Sequence, residues 1–163
     1  MDMTTALGYQ RFDSRMHAIS ALDTALEGAN RRVRIFDDRG DFYGFDRRDF
    51  AENLDRLLRR NREAEVLMVL RDADFVQRYC PRLMSLMVRH GSRIRVLKIT
   101  GSVRGFARGF VVVDDSVVLR RPHFEQAVTF WDIDEKAIAA AHGVIDELLQ
   151  HAGTPISPHV TGL

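Results

Sequence analysis

Apolar residues recur along this chain with two different periods. In four segments they return every three or four residues, which predicts amphipathic helices. These are residues 12–29, 46–62 and 72–90, and a last segment that begins at Asp132 or Asp134 and ends near His151. Between them lie short, nearly unbroken or alternating apolar runs, which predict strands. These runs are residues 33–36, 65–70, 93–99, 110–113 and 117–119.

Individual residues mark the boundaries of these elements. Asp46 is expected to cap the second helix, because a carboxylate accepts hydrogen bonds from the free N–H groups of a first turn. Pro81 must begin a new helix or kink the existing one, since proline lacks the N–H that a helix interior requires. The polar turn Asp114-Asp115-Ser116 between two β-rich runs predicts a hairpin.

The order of elements predicts the fold class. Three alternations of helix and strand are followed by a hairpin and one more helix. Alternation is typical of a parallel sheet covered by helices, to which the hairpin adds antiparallel strands. We expect a single α/β domain over residues 12–152, with a mixed, mainly parallel sheet flanked by helices. Residues 1–11 are expected to form a flexible N-terminal arm and residues 153–163 a flexible C-terminal tail.

Length and composition indicate the cellular location of the protein better than they indicate its function. The 163 residues suffice for one domain with a sizeable core, and the formal net charge is +1. No apolar run reaches the roughly 20 residues that span a bilayer, and the first residues lack a signal-peptide pattern. The single cysteine, Cys80, excludes an internal disulfide. We therefore expect a cytoplasmic protein, in which Cys80 is a small buried hydrophobe.

One segment is locally basic. Residues 89–121 contain eight arginines and lysines against two acidic residues, Asp114 and Asp115, and the segment that follows is mostly acidic. These charges either pair internally or leave a positive surface that attracts anions. Sequence-independent binding of nucleic acid through residues 89–121 is one hypothesis, although the nearly neutral total charge is unusual for such a domain.

The hairpin segment resembles a known superfamily. Phospholipase-D-like domains carry a histidine, any residue, a lysine, four residues and an aspartate, with Gly-Ser about six residues later. The run Phe-Val-Val-Val-Asp-Asp-Ser-Val-Val-Leu of residues 110–119 is typical of that neighbourhood. From about Arg31 to Ala152 the chain is similar to an uncharacterised bacterial family of degenerate phospholipase-D-like domains, in element order and in its Phe-Asp-Asp after the first strand. The resemblance implies a single phospholipase-D-like half-domain.

The departures from the signature bear on function. With the signature aspartate set on Asp114, its histidine falls on Ala107, its lysine on Gly109 and its Gly-Ser on Arg121-Pro122. In active members the histidine is the nucleophile and the lysine stabilises phosphoryl charge. Covalent catalysis requires an activated nucleophile, which Ala107 lacks. The resemblance therefore implies the scaffold without catalysis or catalytic residues.

A phosphate or ligand site is still predicted near the signature. Guanidinium groups suit phosphate, and the glycines of this segment allow close approach of the backbone. The residues expected to form it are Arg104, Arg108, Asp114, Arg120, Arg121 and His123. The alternative is that these arginines are solvated and paired with nearby acidic residues.

Other chemistry finds less support in the residues. The acidic cluster Asp37, Asp38, Asp41 and Asp46 does not have the spacing of a calcium loop, so turn and cap roles are favoured over a metal. The six histidines show no zinc-ligand spacing, and no cofactor motif is present, so neither a metal nor a cofactor is expected.

Three hypotheses for function remain from the sequence. The first is a non-catalytic module that binds a protein partner or a phosphate-bearing ligand. It is expected to be a homodimer, since active members build one site from two halves. The second is nucleic-acid binding through residues 89–121. The third is a hydrolase with relocated residues, His123 and Asp114. No membrane association is expected.

Overall fold

The computed structural model describes residues 8–99, 106–151 and 153–158. They form one eight-stranded sheet with helices on both faces. The strands are β1 (Tyr9–Phe12), β2 (Arg32–Asp37), β3 (Glu65–Leu70), β4 (Ile94–Lys98), β5 (Gly109–Val113), β6 (Val117–Arg121), β7 (Thr129–Asp132) and β8 (Thr154–Pro155). The helices are α1 (Arg15–Glu27), α2 (Arg48–Arg60), α3 (Asp74–Tyr79), α4 (Pro81–His90) and α5 (Glu135–Gln150).

The sheet is mixed and mostly antiparallel, so the expectation of a mainly parallel sheet was wrong. The strand order is β1-β7-β6-β5-β2-β3-β4-β8. Among the described strands, only the neighbouring pairs β2–β3 and β3–β4 are parallel, and each pair is joined by a helical crossover, through α2 and through α3 with α4. All the other pairs of neighbouring strands, including the β5–β6 hairpin, are antiparallel.

Two hydrophobic clusters occupy the two faces of the sheet. The larger lies under α1, α2 and α4 and includes Phe45, Phe50 and Leu54. The smaller lies under α5, where Ile138, Ala141, Ile145 and Leu148 pack on the other face. This arrangement covers the β2 centre on both sides, which explains its nearly continuous burial.

Several boundaries differ from their expected positions. Strand β1 falls within the segment expected to be a flexible arm, and β8 within the expected tail. The second helix begins after Arg47, without a side-chain cap, so Asp46 does not cap it. In contrast, Pro81 is the first residue of α4, and Asp134 caps α5 through the N–H of Ala137.

Within the residues described, none of the helices combines the length and the apolar character that crossing a bilayer requires.

Candidate functional site

The β5–β6 hairpin holds the positions that the sequence aligns with the phospholipase-D signature. Gly109 and Arg121 face each other at its open end, whereas Asp114 lies in its turn. We call the open end the signature edge of the sheet. It consists of the end of β2 with residues 38–42, Arg71 after β3, residues 106–109 and residues 121–124. The two ends of a five-residue strand pair are about 17 Å apart, so Asp114 is remote from the signature edge.

Asp114 is engaged by the backbone of its own chain. Its two carboxylate oxygens accept hydrogen bonds from the N–H groups of Asn30, Arg31 and Arg32 at 2.6–2.8 Å. Its φ of 54° is in the left-handed region, which aspartate tolerates better than most residues. Asp114 therefore fixes the start of β2 to the hairpin turn. It does not meet His123, which follows the far end of β6.

Gly109 leaves no room for a side chain at the signature edge. A Cβ built on it would lie 2.6 Å from Cε1 of Phe124, 3.1 Å from the carbonyl oxygen of Phe36 and 3.5 Å from a carboxylate oxygen of Asp37. The Phe124 ring also packs edge-on against the Phe36 ring, with 5.7 Å between centroids. The ring of Phe124 thus fills the space into which a residue at position 109 would project.

A buried ion pair lies beside Gly109. Arg121 is 2% exposed and Asp37 1% exposed. Nη1 of Arg121 donates to Oδ1 of Asp37 at 3.3 Å, and Nη2 donates to the carbonyl oxygens of Phe124 and Gln126. Arg121 therefore ties the segment after β6 to the end of β2.

Aromatic rings enclose this ion pair. The Arg121 guanidinium carbon is 3.6 Å from the centroid of the Phe42 ring, 5.7 Å from that of Phe124 and 5.9 Å from that of Tyr43. Burial raises the pKa of Asp37 to about 6, although the charge of Arg121 acts to lower it. Burial, with the nearby carboxylate of Asp37, also raises the pKa of Tyr43.

The outer layer of the signature edge is open to solvent. Nε of Arg71 lies 3.3 Å from Oδ1 of Asp38, and the Arg71 guanidinium lies over the outer part of Phe124, 5.1 Å from its centroid. A shallow cavity of about 400 Å³ lies beside it. Its lining consists of Arg15, Asp38, Arg39, Asp41, Phe42, Arg121 and Phe124.

The structure brings together only part of the predicted ligand site. Arg108, Arg121 and His123 lie at the signature edge, where the N–H of Phe124 donates to the carbonyl of Ala107. Arg108 and His123 are exposed and Arg121 is buried. Arg120 points to the opposite face, 4.7 Å from the Phe130 centroid. Arg104 lies outside the described residues.

Asp37 and Phe124 have roles at the signature edge that the sequence did not predict. Asp37 was placed in an acidic loop, but it ends β2 and pairs with Arg121, 84 residues away. Two other members of that acidic cluster also form ion pairs. Asp38 pairs with Arg39 and Arg71, and Asp41 pairs with Arg39. Phe124 gave no signal at all. The sequence offers only the Asp37-Asp38 pair after one apolar run and the Arg120-Arg121 pair after another, and it does not indicate which members meet.

The fold of the domain has structural neighbours of known architecture. Its architecture is phospholipase-D-like, and it is shared with NucT from Helicobacter pylori at a TM-score of 0.65 and 14% identity, over 91% of this chain and 98% of that one. Phosphatidylserine synthase from Haemophilus influenzae Rd KW20 gives a TM-score of 0.57 and 14% identity, over 87% of this chain and 37% of that one. At these identities the likeness concerns the fold alone.

The chain belongs to the family described as domain of unknown function DUF7931, which matches residues 14–142. A further structural neighbour is TrmBL2, an archaeal chromatin protein described as showing a novel mode of DNA binding. It gives a TM-score of 0.69 and 12% identity over 91% of this chain, which spans about half (54%) of the TrmBL2 chain. No curated protein matches the sequence.

Proposed function

We propose that this domain is a phospholipase-D-like module that does not catalyse phosphodiester cleavage and instead binds a phosphate-bearing ligand or a protein partner at the signature edge. The observation that carries the proposal is the packing at Gly109. The alignment puts the signature lysine there, and the Phe124 ring fills the space that a lysine side chain would need. Ala107, at the histidine position, offers no nucleophile.

The charges at the edge suit recognition better than chemistry. Phosphoryl transfer requires positive groups aimed at the reacting phosphate. The most central cation, Arg121, is instead directed to Asp37 and to backbone carbonyls. The exposed groups around it, Arg108 and His123, remain available for a ligand's phosphate or for acidic side chains of a partner.

A phosphodiesterase assay tests the absence of catalysis. We expect purified full-length chain to hydrolyse bis(p-nitrophenyl) phosphate no faster than buffer does, and the variant His123→Ala to be indistinguishable from it. Turnover that His123→Ala abolishes would support the hydrolase with relocated residues and refute the proposal. Turnover that survives this substitution would refute it as well.

Binding of nucleic acid is a second candidate, favoured by the likeness to TrmBL2. The exposed basic residues of segment 89–121 that could contact a backbone include Arg95, Lys98 and Arg108. Others in the segment are engaged: Arg89 pairs with Asp55, and Arg121 is buried. Fluorescence anisotropy with labelled single- and double-stranded DNA at rising salt tests it. Affinity that falls steeply with salt supports this candidate, and no binding at low salt excludes it.

A further inference from the structure

A second group of arginines lies at the opposite edge of the sheet, on the face that carries α5. Arg32 and Arg34 are two residues apart in β2, so both side chains point to that face. Leu67 of β3 is the register partner of both Arg34 and Arg95. Arg93 precedes Arg95 by two residues. The arginines therefore flank the central strand β3 from both sides, and we call this site the arginine groove.

The arginine groove is an open cavity of about 380 Å³. This volume lies within the range of small-molecule sites. Its floor is β3, which presents Glu65 and Leu67, and one wall is α5, which presents His142, Asp146 and Leu149. Helix α5 packs mainly on β2, β5 and β6, so among the described residues the part of β3 and β4 around Leu67 remains accessible at the cavity.

The arginines on the β2 side have their charges balanced within the protein. Nη2 of Arg34 donates to Asp146 at 2.6 Å, and its Nη1 lies 2.7 Å from Nδ1 of His142. Nη2 of Arg32 donates to Asp115 at 3.0 Å, and Asp115 also accepts from Nε2 of His142 at 2.5 Å. This network holds the β2 wall of the groove in place.

The arginines on the β4 side lack such a balance. Nη2 of Arg93 donates to the carbonyl oxygens of Asn61 and Ala64, which carry no formal charge. Its Nε is buried and has no hydrogen-bond partner among the described residues. Arg95 is exposed and pairs with no carboxylate in the part of the chain that the structure describes. The lining of the cavity contains four arginines and two carboxylates, those of Glu65 and Asp146.

We propose that the arginine groove binds a small molecule that carries a phosphate monoester, with Arg93 and Arg95 as the groups that receive the phosphate. Two guanidinium groups without a carboxylate partner match a dianion, and their planar donors suit phosphate oxygens. Leu67 and Leu149 provide apolar surface for the organic part of the ligand. The groove shares no residue with the signature edge, so this inference goes beyond the function proposed above.

Isothermal titration calorimetry on the full chain tests the groove with three probes. These are 5′-AMP, inorganic phosphate, and a dinucleotide whose only phosphate is an internal diester. We expect saturable binding of 5′-AMP, weaker binding of inorganic phosphate and none of the dinucleotide. Arg95→Ala should weaken 5′-AMP binding at least about tenfold, the effect of losing one charge-assisted hydrogen bond. Glu65→Gln should tighten it several-fold, because it removes a negative charge from the floor.

The matched control is Arg56→Ala, an exposed arginine of α2 that lies in neither the arginine groove nor the signature edge, which should leave the affinity for 5′-AMP unchanged. The gain expected for Glu65→Gln cannot arise from damage to the fold. Absence of 5′-AMP binding, or binding that Arg95→Ala does not weaken, overturns the proposal. Equal affinity for the dinucleotide would assign the groove to a nucleic-acid backbone instead. A loss on Arg108→Ala would place the ligand at the signature edge and leave the groove without one.

Discussion

At the scale of single residues, Arg121 is placed where a charged side chain is costly unless it is paired. Its partners are the Asp37 carboxylate and two backbone carbonyls, under the ring of Phe42. Removal of one member of a buried pair leaves the other charge without compensation, which destabilises more than the pair itself stabilises. The ion pair is therefore a point at which the signature edge is sensitive to substitution.

Arg121→Met is expected to lower the free energy of unfolding by about 3–5 kcal/mol, because Asp37 then stays buried without its cation. Urea denaturation at neutral pH measures the change. Arg108→Ala serves as the control: it is exposed at the same edge and should change stability by less than about 0.5 kcal/mol. If Arg121→Met proved as stable as the control, the ion pair would have no role in stability.

The raised pKa of Asp37 predicts a pH dependence of stability. Its value of about 6 in the folded chain exceeds the ordinary 3.8, so the folded state binds this proton more tightly than the unfolded state does. The contribution of Asp37 to stability is thus greatest below about pH 4 and is lost as the pH rises through 6. Over that interval the loss is on the order of 3 kcal/mol.

Urea denaturation of the native chain and of Asp37→Asn at several pH values isolates this effect. The stability of the native chain relative to the variant should fall between about pH 4 and pH 7. A constant difference across that interval would show that Asp37 does not titrate there. Comparison with the variant is needed because the pKa values of Asp55 and Asp115 are lowered in the folded chain. Their contribution to stability is therefore lost as the pH falls, whereas that of Asp37 is lost as the pH rises.

At the scale of elements, the hairpin turn serves as an anchor for β2. Asp114 accepts three backbone hydrogen bonds where α1 has ended and β2 begins. The parallel and antiparallel halves of the sheet meet at β2, which pairs with β3 on one side and β5 on the other. One carboxylate therefore fixes the register at the junction of the two halves.

Asp114→Ala is expected to destabilise the chain by about 2 kcal/mol or more, since hydrogen bonds to a charged acceptor are lost and alanine is strained at positive φ. Asp114→Asn keeps one acceptor oxygen and a residue that tolerates this φ, so its cost should be smaller. Thermal unfolding of both variants measures the order. Equal stability of Asp114→Ala and the native chain would refute the anchoring role.

The sequence predicted the elements whose pattern is set by local burial. The apolar run of β3 and the hairpin were predicted correctly, and of the two alternatives at Pro81, a new helix or a kink, the structure has the new helix. The end strands β1 and β8 were missed because they are mostly exposed, and β7 was missed because four residues are too few to show a clear period in the sequence. The site depended on pairings across more than 80 residues, which no local pattern encodes.

At the scale of the whole molecule, the basic residues of segment 89–121 that the structure describes do not form one surface. Arg89 binds Asp55 on α2, Arg93 binds carbonyl groups, and Arg121 is buried. Arg95 and Arg108 lie at opposite edges of the sheet. The clustering seen along the sequence is thus dispersed by the fold over both edges and both faces.

The solution mass tests the homodimer that the resemblance to phospholipase-D-like half-domains leads us to expect. Multi-angle light scattering on the purified chain should give twice the mass of one chain at every salt concentration, if two copies associate as the two halves of an active phospholipase-D-like site do. A mass of one chain over a wide concentration range would contradict the dimer. It would also leave each signature edge to act alone.

The position of β2 has a consequence for the chain during its synthesis. Its register partners in β5 follow it by 74 residues (Phe36 and Phe110) to 80 residues (Val33 and Val113), so β2, β3 and β4 emerge from the ribosome before the hairpin does. Until then one edge of β2 is unpaired and the three N–H groups that Asp114 binds have no acceptor. Pairing over such separations is slow, and unpaired strand edges invite association with other chains. The nascent chain therefore passes through an interval in which β2, a strand that is almost wholly buried in the folded domain, is open to pairing with other chains.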